Sequence, residues 1–177
     1  MNQKRIERLV LSAMFCAMVF AATWISVPAP AVGNVNLGDA MLLLSAWLLG
    51  GPYSVIAAAV GSALTDLMGA YAVYAPGTLV IKALMTTVAI LTLKLSRKVL
   101  RLSTLPSLLI SGICAELVMI AGYYFYEALF LSLGFVGAAV NIPFNAIQGA
   151  IGLILAILCR MLLKQTGFHL PNQGDQL

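Results

Sequence analysis

Long apolar stretches, separated by short polar segments, run through almost the whole chain. A helix that crosses a bilayer needs about 20 mostly apolar residues, because each residue adds about 1.5 Å and the hydrocarbon core is about 30 Å thick. Six stretches are predicted to be helices, the second of them short: 6–27, 37–49, 53–68, 76–95, 106–131 and 138–164. The pattern therefore predicts an all-α, polytopic membrane protein with six transmembrane helices.

Prolines, glycines and asparagines mark the breaks between these helices. Segment 28–36 contains two prolines, one glycine and two asparagines, which disfavour a continued helix. Gly50-Gly51-Pro52 is a tight break, and proline suits the first turn of the helix that follows. Other interruptions are a loop at 69–75, a polar and basic segment at 96–103, a turn at 134–137 and a polar tail at 167–177. The chain is predicted to form one transmembrane domain, 1–177.

The first stretch, 6–27, also resembles a secretory signal peptide. Basic residues precede it, and Ala29-Pro30-Ala31 imitates a cleavage site. Its apolar part is longer than the roughly 7–15 residues of a signal peptide, and the chain after it is equally membrane-like. We therefore expect this helix to remain in the protein.

Composition and charge agree with a membrane protein. Hydrophobic residues make up 62% of the chain and charged residues 9%, with a mean hydropathy of +1.00. A soluble domain carries about 25% charged residues. The net charge is +4, but the basic residues flank apolar stretches and form no separate basic face, which argues against a nucleic-acid partner.

The distribution of basic residues predicts the orientation in the membrane. They precede the first helix, separate the fourth from the fifth, and close the sixth: Lys4, Arg5, Arg8, Lys94, Arg97, Lys98, Arg101, Arg160 and Lys164. Segments 28–36, 70–76 and 132–137 contain no lysine or arginine. The positive-inside rule then places both termini in the cytoplasm and the protein in the cytoplasmic membrane.

Several polar residues lie within the predicted helices, where an ionisable side chain costs roughly 2.5–3.5 kcal/mol on insertion scales. The ionisable ones are Asp39, Asp66, Lys82, Glu116 and Glu127. Helical spacing puts Tyr123 on the same face as Glu116 and Glu127, and it puts Asn141, Asn145 and Gln148 together on the last helix. The outer segments add Asn34, Asn36, Tyr71 and Tyr74. Together these residues predict an outward-facing cavity for a small polar ring compound with hydroxyl groups.

Structural interpretations of the same residues stay open. Asp66 and Lys82 could pair with each other, and Glu127 could lie in the water-exposed interface. Asparagine and glutamine side chains often join helices by hydrogen bonds without binding a ligand. Glu116 lies close to mid-membrane, where a protonated carboxyl could also bond to the backbone.

A stripe of small side chains follows the first helix. Ala13, Ala17 and Ala21 recur every four residues, a pattern that lets another helix approach closely. The stripe either packs within the bundle or docks on a partner subunit.

Motifs for chemistry are missing from the sequence. It has no P-loop pattern and no H-E-x-x-H pattern, and its three cysteines lie in apolar stretches, as small buried hydrophobes do. We therefore expect no enzymatic activity, no bound cofactor and no metal site.

Four segments, in this order and spacing, are typical of one family. They are Asn36-Leu37-Gly38-Asp39, Gly61-Ser62-Ala63-Leu64-Thr65-Asp66-Leu67, Tyr74-Ala75-Pro76-Gly77-Thr78 before Lys82, and Asn141-Ile142-Pro143-Phe144-Asn145. Over nearly its whole length the chain resembles the substrate-binding S component of energy-coupling factor (ECF) vitamin transporters. It is most similar to the riboflavin-type branch, which includes carriers for pyridoxine-like and hydroxymethylpyrimidine-like compounds.

The resemblance implies a high-affinity, membrane-embedded binding component of an ECF-type ABC importer for a vitamin or precursor. Its partners would be a transmembrane coupling subunit and two ATPase subunits, which use the ATP. The stripe of Ala13, Ala17 and Ala21 matches the family's docking motif, and segment 28–36 is similar to its lid. The residues expected to bind substrate are Asn36, Asp39, Asp66, Tyr74, Lys82, Glu116, Tyr123, Glu127, Asn141, Asn145 and Gln148.

The sequence leaves the substrate and two other functions open. Several carboxylates and amides accompany one embedded cation, Lys82, which favours pyridoxine or hydroxymethylpyrimidine, with riboflavin next. The alternatives are a self-sufficient secondary transporter or channel, and a small intramembrane enzyme. Secondary transporters often show inverted repeats and helices broken near the midplane, whereas this chain shows no repeat and has most prolines near helix ends.

Overall fold

The computed structural model describes residues 3–29 and 33–166, apart from the side chain of Lys4. The predicted tail, 167–177, and residues 30–32 of the first predicted loop lie outside the described residues. The helices are α1 (Gln3–Trp24), α2 (Gly38–Leu48), α3 (Gly51–Met68), α4 (Ala75–Lys98), α5 (Thr104–Leu129), α6 (Gly134–Ala139) and α7 (Ile142–Gln165), and a 3-10 turn, Ala72–Tyr74, precedes α4.

The predicted all-helical architecture is confirmed, with one addition. Two short antiparallel strands, β1 (Ser26–Pro28) and β2 (Asn34–Asn36), form a hairpin between α1 and α2, and Val27 pairs with Val35. The prediction that the first helix continues to residue 27 is therefore wrong. Strands of three residues are too short to produce a readable alternation of polar and apolar positions.

The last predicted helix also differs from the structure. The predicted turn at 134–137 is wrong, because these residues belong to α6, and α7 begins only at Ile142. Pro143 lies in the first turn of α7, where the missing N–H of proline costs no helical hydrogen bond. The proline thus starts a helix rather than interrupting one.

Among the described residues, four segments are long and apolar enough to cross a membrane: Arg5–Trp24, Ala72–Lys98, Thr104–Leu129 and Gly134–Gln165. At 11 residues, α2 is only about 16 Å long. All of α2 except Met41 is buried, so this helix belongs to the interior of the bundle. The crossing by α2 and α3, and the cytoplasmic location of the termini, stay predictions.

The core follows from the apolar faces of the helices around α2. Leu42, Leu43, Met85 and Met119 are fully buried in one cluster that joins α2, α4 and α5. A second cluster joins the middle of α1, the end of α2, the start of α3 and the end of α7. Apart from the short α6, helices that follow one another in the chain run in alternating directions through the bundle.

This alternation gives the molecule two chemically different ends. At the hairpin end, β2 contacts α1 and α7, and the 3-10 turn contacts α3 and α4. At the opposite end, here called the basic end, lie the starts of α1 and α5 and the ends of α4 and α7. The basic end carries Arg5, Arg8, Lys94, Arg97, Lys98, Arg101, Arg160 and Lys164.

Candidate binding site

A cavity lies at the hairpin end, between the hairpin and the helices. Its lining consists of Ala29, Gly33, Asn34, Asn36, Asp66, Tyr71, Tyr74, Thr78, Tyr123, Glu127, Asn145 and Gln148. The cavity has a volume of about 30 Å³, whereas pockets for small organic ligands measure about 300–1,000 Å³. A ligand larger than a few water molecules therefore requires the cavity to widen.

Seven of the eleven predicted binding residues line this cavity. They are Asn36, Asp66, Tyr74, Tyr123, Glu127, Asn145 and Gln148. The other four, Asp39, Lys82, Glu116 and Asn141, are buried but do not appear in the lining. The structure thus brings residues from the hairpin, α3, the 3-10 turn, α5 and α7 to one place.

A chain of hydrogen bonds leads from the hairpin into the bundle. The backbone N–H of Asn36 donates to Oε1 of Gln148 at 2.9 Å. Nε2 of Gln148 donates to Oδ2 of Asp39 at 2.6 Å, and Oδ1 of Asp39 pairs with Nζ of Lys82. These contacts join β2, α7, α2 and α4, so the cavity rests on an ordered polar layer.

Lys82 pairs with Asp39, and no pair with Asp66 exists among the described residues. The interpretation of Asp66 and Lys82 as an ion pair is therefore wrong. Both partners of the observed pair are buried, with Lys82 2% and Asp39 0% exposed. Breaking such a pair is expensive, because the remaining charge stays buried without a partner.

The ammonium of Lys82 also connects the ion pair to the wall of the cavity. Nζ lies 5.5 Å from the centroid of the Tyr123 ring, within the range of a cation–π interaction. The hydroxyl of Tyr123 shares a hydrogen bond of 3.1 Å with Oγ1 of Thr78. Two side chains of α4, Thr78 and Lys82, thus hold Tyr123 in position.

Glu127 is held by two neighbours at the top of α5. The hydroxyl of Tyr74 donates to Oε1 at 3.2 Å, and Nδ2 of Asn141 donates to Oε2 at 3.0 Å. Glu127 is 3% exposed, so its interpretation as a water-exposed interfacial residue is wrong. Through this carboxylate Asn141 is connected to the wall of the cavity.

Glu116 has a different environment beneath the cavity. Within the part of the chain that the structure describes, neither of its carboxylate oxygens has a hydrogen-bond partner, so no bond to the backbone satisfies it. It packs against Gly149 of α7, where a Cβ atom would lie 2.8 Å from Oε2. The glycine therefore makes room for this carboxyl between α5 and α7.

Sequence reasoning missed Ala29, Gly33 and Thr78 as lining residues. Gly33 has a φ of 91°, a left-handed conformation that glycine adopts without strain. A Cβ atom at Gly33 would lie 3.2 Å from the Tyr74 ring. A glycine in the short loop between Val27 and Val35, the central residues of the two strands, was the available signal for a hairpin.

The alanine stripe lies on the outside of the described bundle. Ala13, Ala17 and Ala21 are all exposed, so packing within this bundle does not explain them. Met14 and Met18, one position further along, are 55% and 40% exposed. This apolar face is available to lipid or to another protein.

Comparisons with known proteins agree on the architecture. A family model described as "ECF-type riboflavin transporter, S component" matches residues 3–165. A solved structure, described as "Structure and mechanism of the S component of a bacterial ECF transporter", is similar with 23% sequence identity and a TM-score of 0.65. The match covers 92% of this chain and 98% of that chain; at this identity it shows the fold alone. No curated protein matches the chain.

Proposed function

Since the chain belongs to the family of S components of ECF-type riboflavin transporters, we propose that it captures a small B-vitamin or vitamin precursor in the cavity at the hairpin end. The family supports a substrate-binding role in membrane vitamin transport. One observation carries the assignment to this cavity: seven of the predicted polar and aromatic residues, from five separate elements, converge on its lining. Such a combination of aromatic surface and a few fixed polar groups is typical of sites for small ring compounds.

The chemistry of the lining favours pyridoxine or hydroxymethylpyrimidine. The amides of Asn145 and Gln148 and the carboxylate of Asp66 offer donors and acceptors for ring hydroxyl and ring nitrogen atoms. The rings of Tyr74 and Tyr123, with centroids 6.2 Å apart, offer faces for stacking. Riboflavin is the second candidate, because the family is described by that vitamin.

We propose that the hairpin moves when a ligand enters the cavity. Among the described side chains, Gln148 provides the hydrogen bond from α7 to β2, through the Asn36 N–H. A single hydrogen bond of this kind contributes about 0.5–1.5 kcal/mol net, so its opening is inexpensive. We therefore propose that the hairpin covers the bound ligand, and that the hydrogen bond between Gln148 and Asn36 breaks when the hairpin opens and forms when it closes.

Uptake would depend on partner subunits. We propose that the exposed face of Ala13, Ala17 and Ala21 docks on a transmembrane coupling subunit joined to two ATPases that use ATP. A stripe without large side chains suits close packing against another helix.

We further propose that the chain crosses the membrane six times, that both termini lie in the cytoplasm, and that the protein resides in the cell membrane.

The first test is mass spectrometry of small molecules released from the purified protein, produced in rich medium. We expect a stoichiometric B-vitamin or precursor. Titration calorimetry with pyridoxine, hydroxymethylpyrimidine and riboflavin then ranks the candidates. A protein that is empty and binds none of the three would refute the proposed function and favour a self-sufficient transporter.

The substitution Asn145→Ala tests the cavity as the site. Loss of a buried polar contact should weaken binding of the captured compound by roughly 1–3 kcal/mol. Gln165→Ala, at the far end of α7, is the matched control and should bind like the wild type. Wild-type affinity of Asn145→Ala would move the site away from this cavity.

The substitution Ala17→Trp tests the docking face. A bulky exposed side chain should leave ligand binding unchanged while it reduces recovery of the coupling subunit and ATPases in a mild-detergent pull-down about tenfold or more. Ile154→Trp, at a site on α7 that is 58% exposed, is the control for added surface bulk. Equal recovery with both variants would exclude this face, and uptake into vesicles without ATPases would instead support a self-sufficient transporter.

A further inference from the structure

The charges around the cavity are strongly one-sided. Asp66 and Glu127 line it, and Asp39 and Glu116 lie behind the lining, all four of them buried. Among the described residues, Lys82 is the only buried cation. Its ammonium is already engaged by Asp39, so no positive side chain remains free to face a ligand.

The nearest other basic residue along α4 is far from the cavity. Lys94 follows Lys82 by 12 positions, which corresponds to about 18 Å of helix. The remaining described cations belong to α1, the end of α4, the segment between α4 and α5, and the end of α7, all at the basic end. None of them reaches the hairpin end, so the imbalance of charge is built into the fold.

The helix N-termini beside the cavity offer fewer free backbone N–H groups than most helix starts do. Helix N-termini can bind phosphate through free N–H groups, and both α4 and α7 begin beside the cavity. Each has a proline in its first turn, which removes one N–H. The N–H groups of Tyr74 and Asn145 already donate to Tyr71 and Asn141 carbonyl oxygens at 2.8 and 2.9 Å.

We propose that this cavity discriminates by charge: it accepts the free alcohol form of its ring compound and excludes the phosphate ester, with Asp66 and Glu127 as the specificity-determining residues. This inference rests on the proposed function. A phosphate would meet carboxylates at close range in a poorly hydrated site, and like charges in such contact are strongly unfavourable. A free hydroxyl group, in contrast, donates to the same carboxylates.

The test compares binding of matched pairs by titration calorimetry. The probes are pyridoxine with pyridoxine 5′-phosphate, hydroxymethylpyrimidine with its phosphate ester, and riboflavin with riboflavin 5′-phosphate. For whichever alcohol binds, the dissociation constant of the ester should be about 100-fold higher or more. The expected cause is repulsion between the phosphate and the carboxylates. Equal affinity for alcohol and ester would overturn the inference while the proposed function stands.

Variants with neutral isosteres identify the cause of discrimination. In the double variant Asp66→Asn, Glu127→Gln, the ratio of the dissociation constant of the ester to that of the alcohol should fall about tenfold or more, because the repelling charges are removed. Glu7→Gln, at the basic end, should leave the ratio unchanged. A discrimination that persists in the double variant would assign it to shape and refute the role of charge; if that variant does not fold, Asp66→Asn alone decides by the same ratio. Failure of the wild type to bind either alcohol or riboflavin would instead refute the proposed function.

Discussion

The two ends of the bundle carry their charges in opposite ways. At the basic end, Lys98 and Arg101 are exposed, and the guanidinium of Arg97 donates to Thr104 in an exposed position at 2.8 Å. At the hairpin end, Asp39 and Lys82 are buried and bonded to each other and to further polar side chains. Exposed charges need no partner in the protein, whereas buried charges do.

This difference separates two uses of polar residues in one small membrane protein. The basic residues follow the positive-inside rule, which concerns their distribution between the two sides of the membrane. Their individual positions therefore matter little as long as they lie at the same end of the bundle. Buried polar residues such as Asp39 and Lys82 depend on individual contacts, since the two charges compensate each other inside a medium of low polarity. Substitutions should therefore be tolerated at the basic end and costly at the hairpin end.

The largest difference in stability between the two ends is expected for substitutions of lysine. Lys82→Met leaves Asp39 buried without its countercharge, which should lower the free energy of unfolding by about 3–5 kcal/mol. Lys98→Met, on the exposed end of the same helix, should change it by no more than about 0.5 kcal/mol. Denaturant-induced unfolding in detergent micelles, followed by circular dichroism, measures both.

A second variant identifies the cause of this loss. Combining Lys82→Met with Asp39→Asn removes both charges, so part of the lost stability should return. Equal stability of the two lysine variants would show that the buried pair contributes nothing, and the contrast between the ends would fail.

A smaller effect is expected from the amide that joins the hairpin to α7. Gln148→Ala removes the acceptor for the Asn36 N–H and a donor to Asp39. Ligand binding should weaken by roughly 1–3 kcal/mol, and amide hydrogen exchange in β2 should become faster. Gln165→Ala is the control on the same helix; unchanged exchange in Gln148→Ala would show that other contacts hold the hairpin.

The smallest effect is expected for a hydroxyl on the cavity wall. Thr78→Val keeps the shape of the side chain but removes its hydrogen bond with Tyr123, at a cost of about 0.5–1.5 kcal/mol in stability. In Thr87→Val, the lost hydroxyl bonds only to the Ala83 carbonyl of its own helix. A similar change in thermal unfolding for both variants would mean that the Thr78–Tyr123 contact adds nothing specific.

Much of the fold was readable from the chain, with errors at particular places. The apolar stretches predicted the helices, because length and hydropathy report directly on burial in a bilayer. The hairpin of Ser26–Pro28 and Asn34–Asn36 was missed because strands of three residues are too short to show an alternation of polar and apolar positions. The predicted turn at 134–137 was wrong because Gly134 and Gly137, which favour turns, lie within a short helix.

The sequence by itself determined which polar residues lie within the helices. It did not determine which of them pair with one another. Residue type and helical spacing were enough to single out Asp66, Glu127, Asn145 and Gln148 as candidates, since embedded polar groups are expensive and spacing fixes their face. Only the tertiary structure decided that Lys82 pairs with Asp39 and that Glu116 lies outside the lining. Such choices depend on how α2, α4, α5 and α7 pack, and packing distances between separate helices are not encoded by any local pattern.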